Sequence, residues 1–314
     1  MSNSFTGSSD KIYVVTFIVI VLVSVVAFEF LARQYIVALP RSEAHRAKQI
    51  YSSDTGRVAI GDSHVYRGFI LSNGITNLGK RGTSIQVMDS VLRLYYRLHK
   101  PGQLVIEASP QLLNEKNKSN RVVTNGYKSR FFPPLLYIFE PVISSDLARI
   151  FDGFRFRENI AKLTAEKKMQ EKDRYNSIRW DSVPVRRRLK RAFRKTEQQT
   201  PVWTKKENPV LQEYRQLLDY LLEKGVQVCM LRTPVSKEYL SVTDNNPDYM
   251  LAETEFRALA TGVGVKYVDF QDIGISWVPE MFINQDHITP EASRIFSKKV
   301  WDACFLEAQG ENNG

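Results

Sequence analysis

The 314-residue chain has little of what staples or metallates a small fold. Its 2 cysteines, Cys229 and Cys304, are too few for a disulfide framework or a four-thiolate zinc site. Its 4 histidines, His45, His64, His99 and His287, leave a short list of general bases. The composition has no extremes, with 43% hydrophobic and 25% charged residues, which excludes a disordered chain, a collagen-like fibre and a multi-span membrane protein. The length suits one large domain or two modest ones. With 44 Lys and Arg against 34 Asp and Glu the net charge is +10, and where that charge lies says more than its size.

Charge is missing altogether from residues 12–28, IYVVTFIVIVLVSVVAF. As a helix, residues 12–32 would be about 30 Å long, the thickness of the hydrocarbon core. Buried core helices are rarely apolar on every side for this length. A cleaved signal peptide is the rival, with Val25-x-Ala27 as its cleavage site. Against it stands an n-region whose only basic residue, Lys11, adjoins Asp10. The expectation is a short tail (1–11), an uncleaved membrane span (12–32) and a linker (33–56). Arg33, Arg41, Arg46 and Lys48 follow the span, so flanking charge alone would place the large domain in the cytoplasm.

After a short polar helix over 43–52, apolar strands and amphipathic helices alternate. Strands are predicted over 57–61, 75–78, 103–107, 226–231 and 265–268, and helices over 84–99, 209–224, 248–260 and 290–306. Alternation of this kind implies a parallel sheet with helices on both faces, here a flavodoxin-like three-layer α/β/α sandwich of five strands. The domain is expected to run over 57–306, with a tail at 307–314. One stretch breaks the rhythm. Residues 112–205 are too long for a plain crossover. Within them, 155–195 hold 15 Lys and Arg against 5 Asp and Glu, an excess of 10 that equals the net charge of the whole chain. This stretch reads as a basic, mostly helical insertion over one end of the sheet. It is either a solvated helix face or a surface for an anionic glycan or anionic headgroups, with Arg186, Arg187, Arg188 and Arg191 as the binding residues. Nucleic acid is not expected, because recognition elements and interleaved aromatics are missing.

Sites in parallel sheets form at the carboxyl ends of the strands. Strand one ends in Gly61-Asp62-Ser63-His64, which puts a serine on a sharp, exposed turn suited to a nucleophile, although Gly-Asp-Ser is also an ordinary turn. Strand two runs into Asn77-Leu78-Gly79-Lys80-Arg81-Gly82, whose glycines let backbone N–H groups approach an oxyanion. The string Gly74-x-x-x-x-Gly79-Lys80 imitates a phosphate-binding loop, but Arg81 stands where the magnesium-binding Ser or Thr is required, so nucleotide binding is rejected. His287, in Asn284-Gln285-Asp286-His287 before the last helix, is a candidate general base. Cys229 and Cys304 read as two buried thiols, with a disulfide between them as the alternative in an oxidising compartment.

With these motifs in place, the sequence resembles the SGNH/GDSL hydrolase family. Gly61-Asp62-Ser63 corresponds to the nucleophile block, Asn77-x-Gly79-x-x-Gly82 to the glycine block, and the loop ending in His287 to the base block. Within the family it looks most like membrane-anchored envelope members of the D-alanyl-transfer and alginate-acetyltransferase kind, also through Leu231-Arg232-Thr233-Pro234-Val235-Ser236. Two positions depart from the pattern. Asn284 stands where the family has the aspartate three residues before the histidine, leaving Asn284 or Asp286 to orient the imidazole, and less plausibly Asp272. The third block lacks its oxyanion asparagine, for which Ser109 or Gln111 would substitute. The resemblance implies a Ser63–His287 esterase or O-acyltransferase with Ser63, Gly82 and Ser109 at the oxyanion. It acts without metal or cofactor on acylated polysaccharide or a small acyl ester, from the extracytoplasmic side of the cell membrane. The competing reading is an inactive relative that binds an anionic glycan or a membrane acyltransferase partner.

Overall fold

A computed structural model describes residues 9–31, 49–50, 55–69, 74–114, 179–203 and 208–306. The chain divides into two compact units, residues 1–48 with 126–167 and residues 49–125 with 168–314.

The described part of the first unit is helix α1 (Ser9–Leu31). Its side chains from Ile12 to Val23 are exposed almost throughout, and it is the one helix among the described residues long and apolar enough to cross a membrane.

In the second unit, β1 (Arg57–Ile60), β2 (Thr76–Asn77), β3 (Gln103–Glu107), β4 (Gln227–Arg232) and β5 (Lys266–Asp269) form one sheet in the order β2-β1-β3-β4-β5. Every pairing is parallel, in registers such as Ile60 with Ile106, Leu104 with Val228 and Leu231 with Val268. Val58, Ala59 and Ile60, and likewise Leu104, Val105 and Ile106, are buried in succession. Consecutive burial means that neither strand face is open to water, which is why these strands read as unbroken apolar runs.

The remaining elements are α2 (Ser63–Gly68), α3 (Ile85–Leu98), α4 (Val185–Gln199), α5 (Pro209–Glu223), α6 (Lys237–Thr243), α7 (Pro247–Val263), the hairpin β6 (Phe282–Asn284) and β7 (His287–Ile288), and α8 (Pro290–Phe305). Caps account for several boundaries. Asn208, Ser236, Asn246 and Thr289 each accept a backbone N–H at a helix start, and α5, α7 and α8 begin on Pro209, Pro247 and Pro290. Gly264 closes α7 in the left-handed region.

Several expectations shift. The second strand shrinks from four residues to Thr76–Asn77. The helix over 84–99 runs Ile85–Leu98 and that over 248–260 runs Pro247–Val263, while α2, α6 and the β6–β7 hairpin are additions. Apart from residues 49–50, the polar helix expected over 43–52 lies outside the described residues, as does most of the insertion (115–178) and the tail (307–314). Of the insertion, residues 112–114 and 179–203 are described, the latter holding the 3-10 turn Trp180–Ser182 and α4. Cys229 of β4 and Cys304 of α8 form a disulfide across 75 residues, so two buried thiols are not what the fold holds. The bridge ties the last helix to the sheet.

Candidate active site

The site is built where β1 ends. Asp62 caps α2, accepting His64 N–H on Oδ1 at 2.7 Å, so Ser63 is the first residue of that helix. The Asp62 N–H donates to Glu107 Oε2 of β3 at 2.7 Å. This contact needs Gly61, because a Cβ there would run into Glu107 and Val65. Asn77, at the end of β2, holds the far end of α2. Its Nδ2 donates to the carbonyls of Val65, Tyr66 and Phe69 at 3.1, 3.1 and 2.6 Å, while its Oδ1 accepts Gly79 N–H at 2.9 Å. Carbonyls at the end of α2 are held in this way, Val65 O in addition to its bond from the Phe69 N–H, and a six-residue helix becomes a rigid pedestal for Ser63.

The β6–β7 hairpin brings His287 onto this pedestal. Its tip is pinned by Ser236 N–H donating to Gln285 O at 2.8 Å, and its base by Thr289 N–H donating to Met281 O at 2.8 Å. Ser63 Oγ and His287 Nε2 are 2.8 Å apart, across 224 residues of sequence. Asn284 Oδ1 accepts from the Asp286 N–H at 3.1 Å and stands 3.0 Å from His287 Nδ1. Asp286 Oδ1 is equally close to Nδ1, at 3.0 Å, but poorly aligned for a hydrogen bond. The two residues left open by the sequence therefore both reach Nδ1. The amide is the aligned acceptor and the carboxylate the neighbouring charge.

His64 is the residue that motif reading missed. Its ring stacks on that of His287, centroids 4.7 Å apart and planes within 3°. His64 Nδ1 lies 2.6 Å from Asp62 Oδ1, and Nε2 lies 3.5 Å from Asp286 Oδ2. Asp286 thus sits between two imidazoles, with Lys195 Nζ of α4 also 3.5 Å from Oδ2. Burial opposes a charged His64, but Asp62, Asp286 and Glu107 outweigh it, and His64 is held as the imidazolium well above the ordinary histidine range. Burial also opposes ionised Asp286, but His287 and His64 on either side keep its carboxyl well below the usual range. Asp62 is lowered for the same reason, burial being outweighed by His64. His287 moves the other way. Burial, helped by the positive charge of His64 and Arg67, outweighs Asp286 and lowers it, so the imidazole facing Ser63 is neutral. Burial and Asp62 together push Glu107 up to about 8.

A neutral His287 that donates from Nδ1 and accepts at Nε2 has the tautomer of a general base toward Ser63. Two groups of side chains, His64–Asp286–His287 and Asp62–His64–Glu107, are compact enough to suggest a metal. In the first group the parallel stacking of the two rings keeps their nitrogen lone pairs from converging on one ion, and Lys195 already brings a cation to Asp286; in the second, Asp62 is engaged by His64, and Glu107 by the Asp62 N–H and Gln111. The arrangement suits proton transfer better than metal ligation.

The other predicted residues are placed as follows. Gly82 lies exposed in the turn before α3, in the left-handed region at φ 67. Ser109 is buried at the end of β3, its hydroxyl 2.9 Å from Thr233 Oγ1 and accepting Thr233 N–H at 3.2 Å. That hydroxyl joins the ends of β3 and β4. Gln111 donates to Glu107 Oε1 at 3.0 Å and accepts from the Tyr249 hydroxyl at 3.1 Å, inside the same buried network. Among the four arginines, Arg186, Arg187 and Arg191 are exposed. Arg188 faces inward, 8% exposed and 3.0 Å from Glu238, so it attaches α4 to the domain, unlike the other three.

No family model matches the sequence, and no curated protein matches it.

Proposed function

We propose that the chain is a membrane-tethered serine esterase or O-acyltransferase of the SGNH/GDSL type, its sheet and helices forming a three-layer sandwich. Its substrates are acyl esters of cell-envelope polysaccharide, and it works on the extracytoplasmic side. The observation that carries the reading is the 2.8 Å contact between Ser63 Oγ and His287 Nε2 at the carboxyl end of a parallel sheet. In the first half-reaction Ser63 Oγ attacks the ester carbonyl while His287 Nε2 takes its proton. The proton then passes to the leaving alkoxide, and an acyl-Ser63 ester remains. Water or an acceptor hydroxyl, deprotonated by the same Nε2, completes hydrolysis or transfer. The backbone N–H groups of Ser63 and Gly82 are the proposed oxyanion donors.

The extracytoplasmic assignment is supported by the Cys229–Cys304 bridge, since such bonds persist in oxidising compartments. Flanking charge points inward, but long domains translocate largely regardless of it.

Full-length protein in detergent, treated with a fluorophosphonate probe, should be labelled, and Ser63→Ala and His287→Ala should each abolish labelling. Ester turnover in the double variant should be hardly lower than in either single one, because the pair acts as a unit. An unlabelled parent would remove the esterase reading in favour of a binding protein, and labelling that survives Ser63→Ala would remove Ser63 as the nucleophile. A C-terminal reporter active only in the cytoplasm would remove the envelope assignment.

A further inference from the structure

The rows of α4 that run along every fourth residue have sharply different surroundings. Arg188, Ala192 and Thr196 are buried and dock the helix on the domain. The next row, Val185, Leu189 and Phe193, is apolar and yet 56%, 42% and 54% exposed. Beside it Arg186, Lys190 and Arg194 form an exposed basic row, followed by exposed Arg187 and Arg191. The ion pairs of this helix among the described residues, Arg188 with Glu238 and Lys195 with Asp286, involve other positions. The five outer cations belong to neither pair.

Single exposed apolar residues are ordinary on a protein surface. Three in one row, flanked by a solid basic face, are not what a solvated helix needs. That combination is the pattern of a helix lying in the plane of a membrane interface, its apolar row in the acyl boundary and its cations among anionic headgroups. An anionic polymer would satisfy the charges but has no use for Phe193, Leu189 and Val185. We propose that α4 is a second, peripheral membrane contact, and that its occupant is an anionic lipid surface. The inference rests on the membrane-tethered part of the reading above and is independent of the esterase part.

The test uses the full-length chain, whose 2 native cysteines are joined in the bridge, with one added cysteine carrying an environment-sensitive fluorophore. Labels go at Phe193→Cys and Leu189→Cys, with Lys298→Cys on the exposed side of α8 as the control. The protein is reconstituted in phosphatidylcholine vesicles with or without about 30% phosphatidylglycerol, and quenching by a lipid-attached quencher is read. Co-flotation with vesicles at high salt reports the α1 anchor separately. Labels at 193 and 189 should be quenched about fivefold more than the label at 298 in anionic vesicles. The excess should vanish when Arg186, Arg187, Lys190 and Arg191 are replaced by Gln, and shrink in zwitterionic vesicles. Equal quenching at 193 and 298 in anionic vesicles overturns the proposal. A label at 193 already shielded from iodide in detergent overturns it too, by showing that the chain itself covers this face. Protection by soluble dextran sulfate but not by vesicles overturns it in favour of an anionic polymer.

Discussion

Replacing Asp286 by asparagine keeps the shape of the site and removes one charge, which separates the two groups that reach His287 Nδ1. When the Ser63 proton moves to Nε2, a positive charge appears on a ring 3.0 Å from Asp286 Oδ1 and stacked 4.7 Å from the His64 ring. At an effective dielectric near 20, unit charges about 4 Å apart interact by about 4 kcal/mol. The carboxylate therefore both attracts the new cation and cancels much of the repulsion from His64. Deprotonation of His64 in the variant limits the loss, so the net cost should be about 3 kcal/mol, roughly two decades in kcat/KM. Asn284→Ala removes a neutral hydrogen bond and should cost about 1 kcal/mol, close to tenfold at most. Steady-state hydrolysis of p-nitrophenyl acetate at pH 8, with circular dichroism to verify folding, measures both. If Asp286→Asn stays within threefold of the parent, or if Asn284→Ala costs more, the amide is the functional partner and the charge argument fails.

Activity against pH follows from the state of His287. The base must be neutral, and its pKa is lowered from 6.5, so the acid limb of kcat/KM should have its midpoint below 6.5. His64→Gln removes a cation that holds His287 down and leaves Asp286 shared with Lys195 alone, so the limb should move to higher pH; an unmoved limb would deny the coupling. Reducing the Cys229–Cys304 bridge, which closes a loop of 75 residues, should lower unfolding free energy by about 2–5 kcal/mol in urea titrations. A loss near zero would mean that packing of α8 alone fixes the C-terminal end of the domain.

The parallel sheet was legible because strands buried on both faces are written as plain apolar runs, and Ser63 because its motif sits at the carboxyl end of β1. His64 was overlooked although it is next to the nucleophile. Its meaning depends on ring stacking against a residue from the far end of the chain, which spacing does not encode. Lys195 was hidden in the basic run, where composition treats every cation alike. Apolar periodicity alone would turn Val185, Leu189 and Phe193 of α4 inward, whereas the buried row is Arg188, Ala192 and Thr196. The reach of Ser109 to Thr233 depends on the β3–β4 register, which places Glu107 beside Leu231 and so brings the two strand ends together. The hairpin carrying His287 has strands of three and two residues, too short to show a period.

The pairing of Ser63 with His287 across 224 residues has a temporal meaning. On the proposed reading, a nucleophile made early waits for a base made much later, on the hairpin just ahead of α8. If the domain is threaded through a membrane from its N-terminal side, Ser63 emerges long before its partner, and the bond to Cys304 closes only after nearly the whole chain has crossed. An esterase built this way would stay inert until that pairing formed. Full delivery of the C-terminal helix would be the event that switches it on.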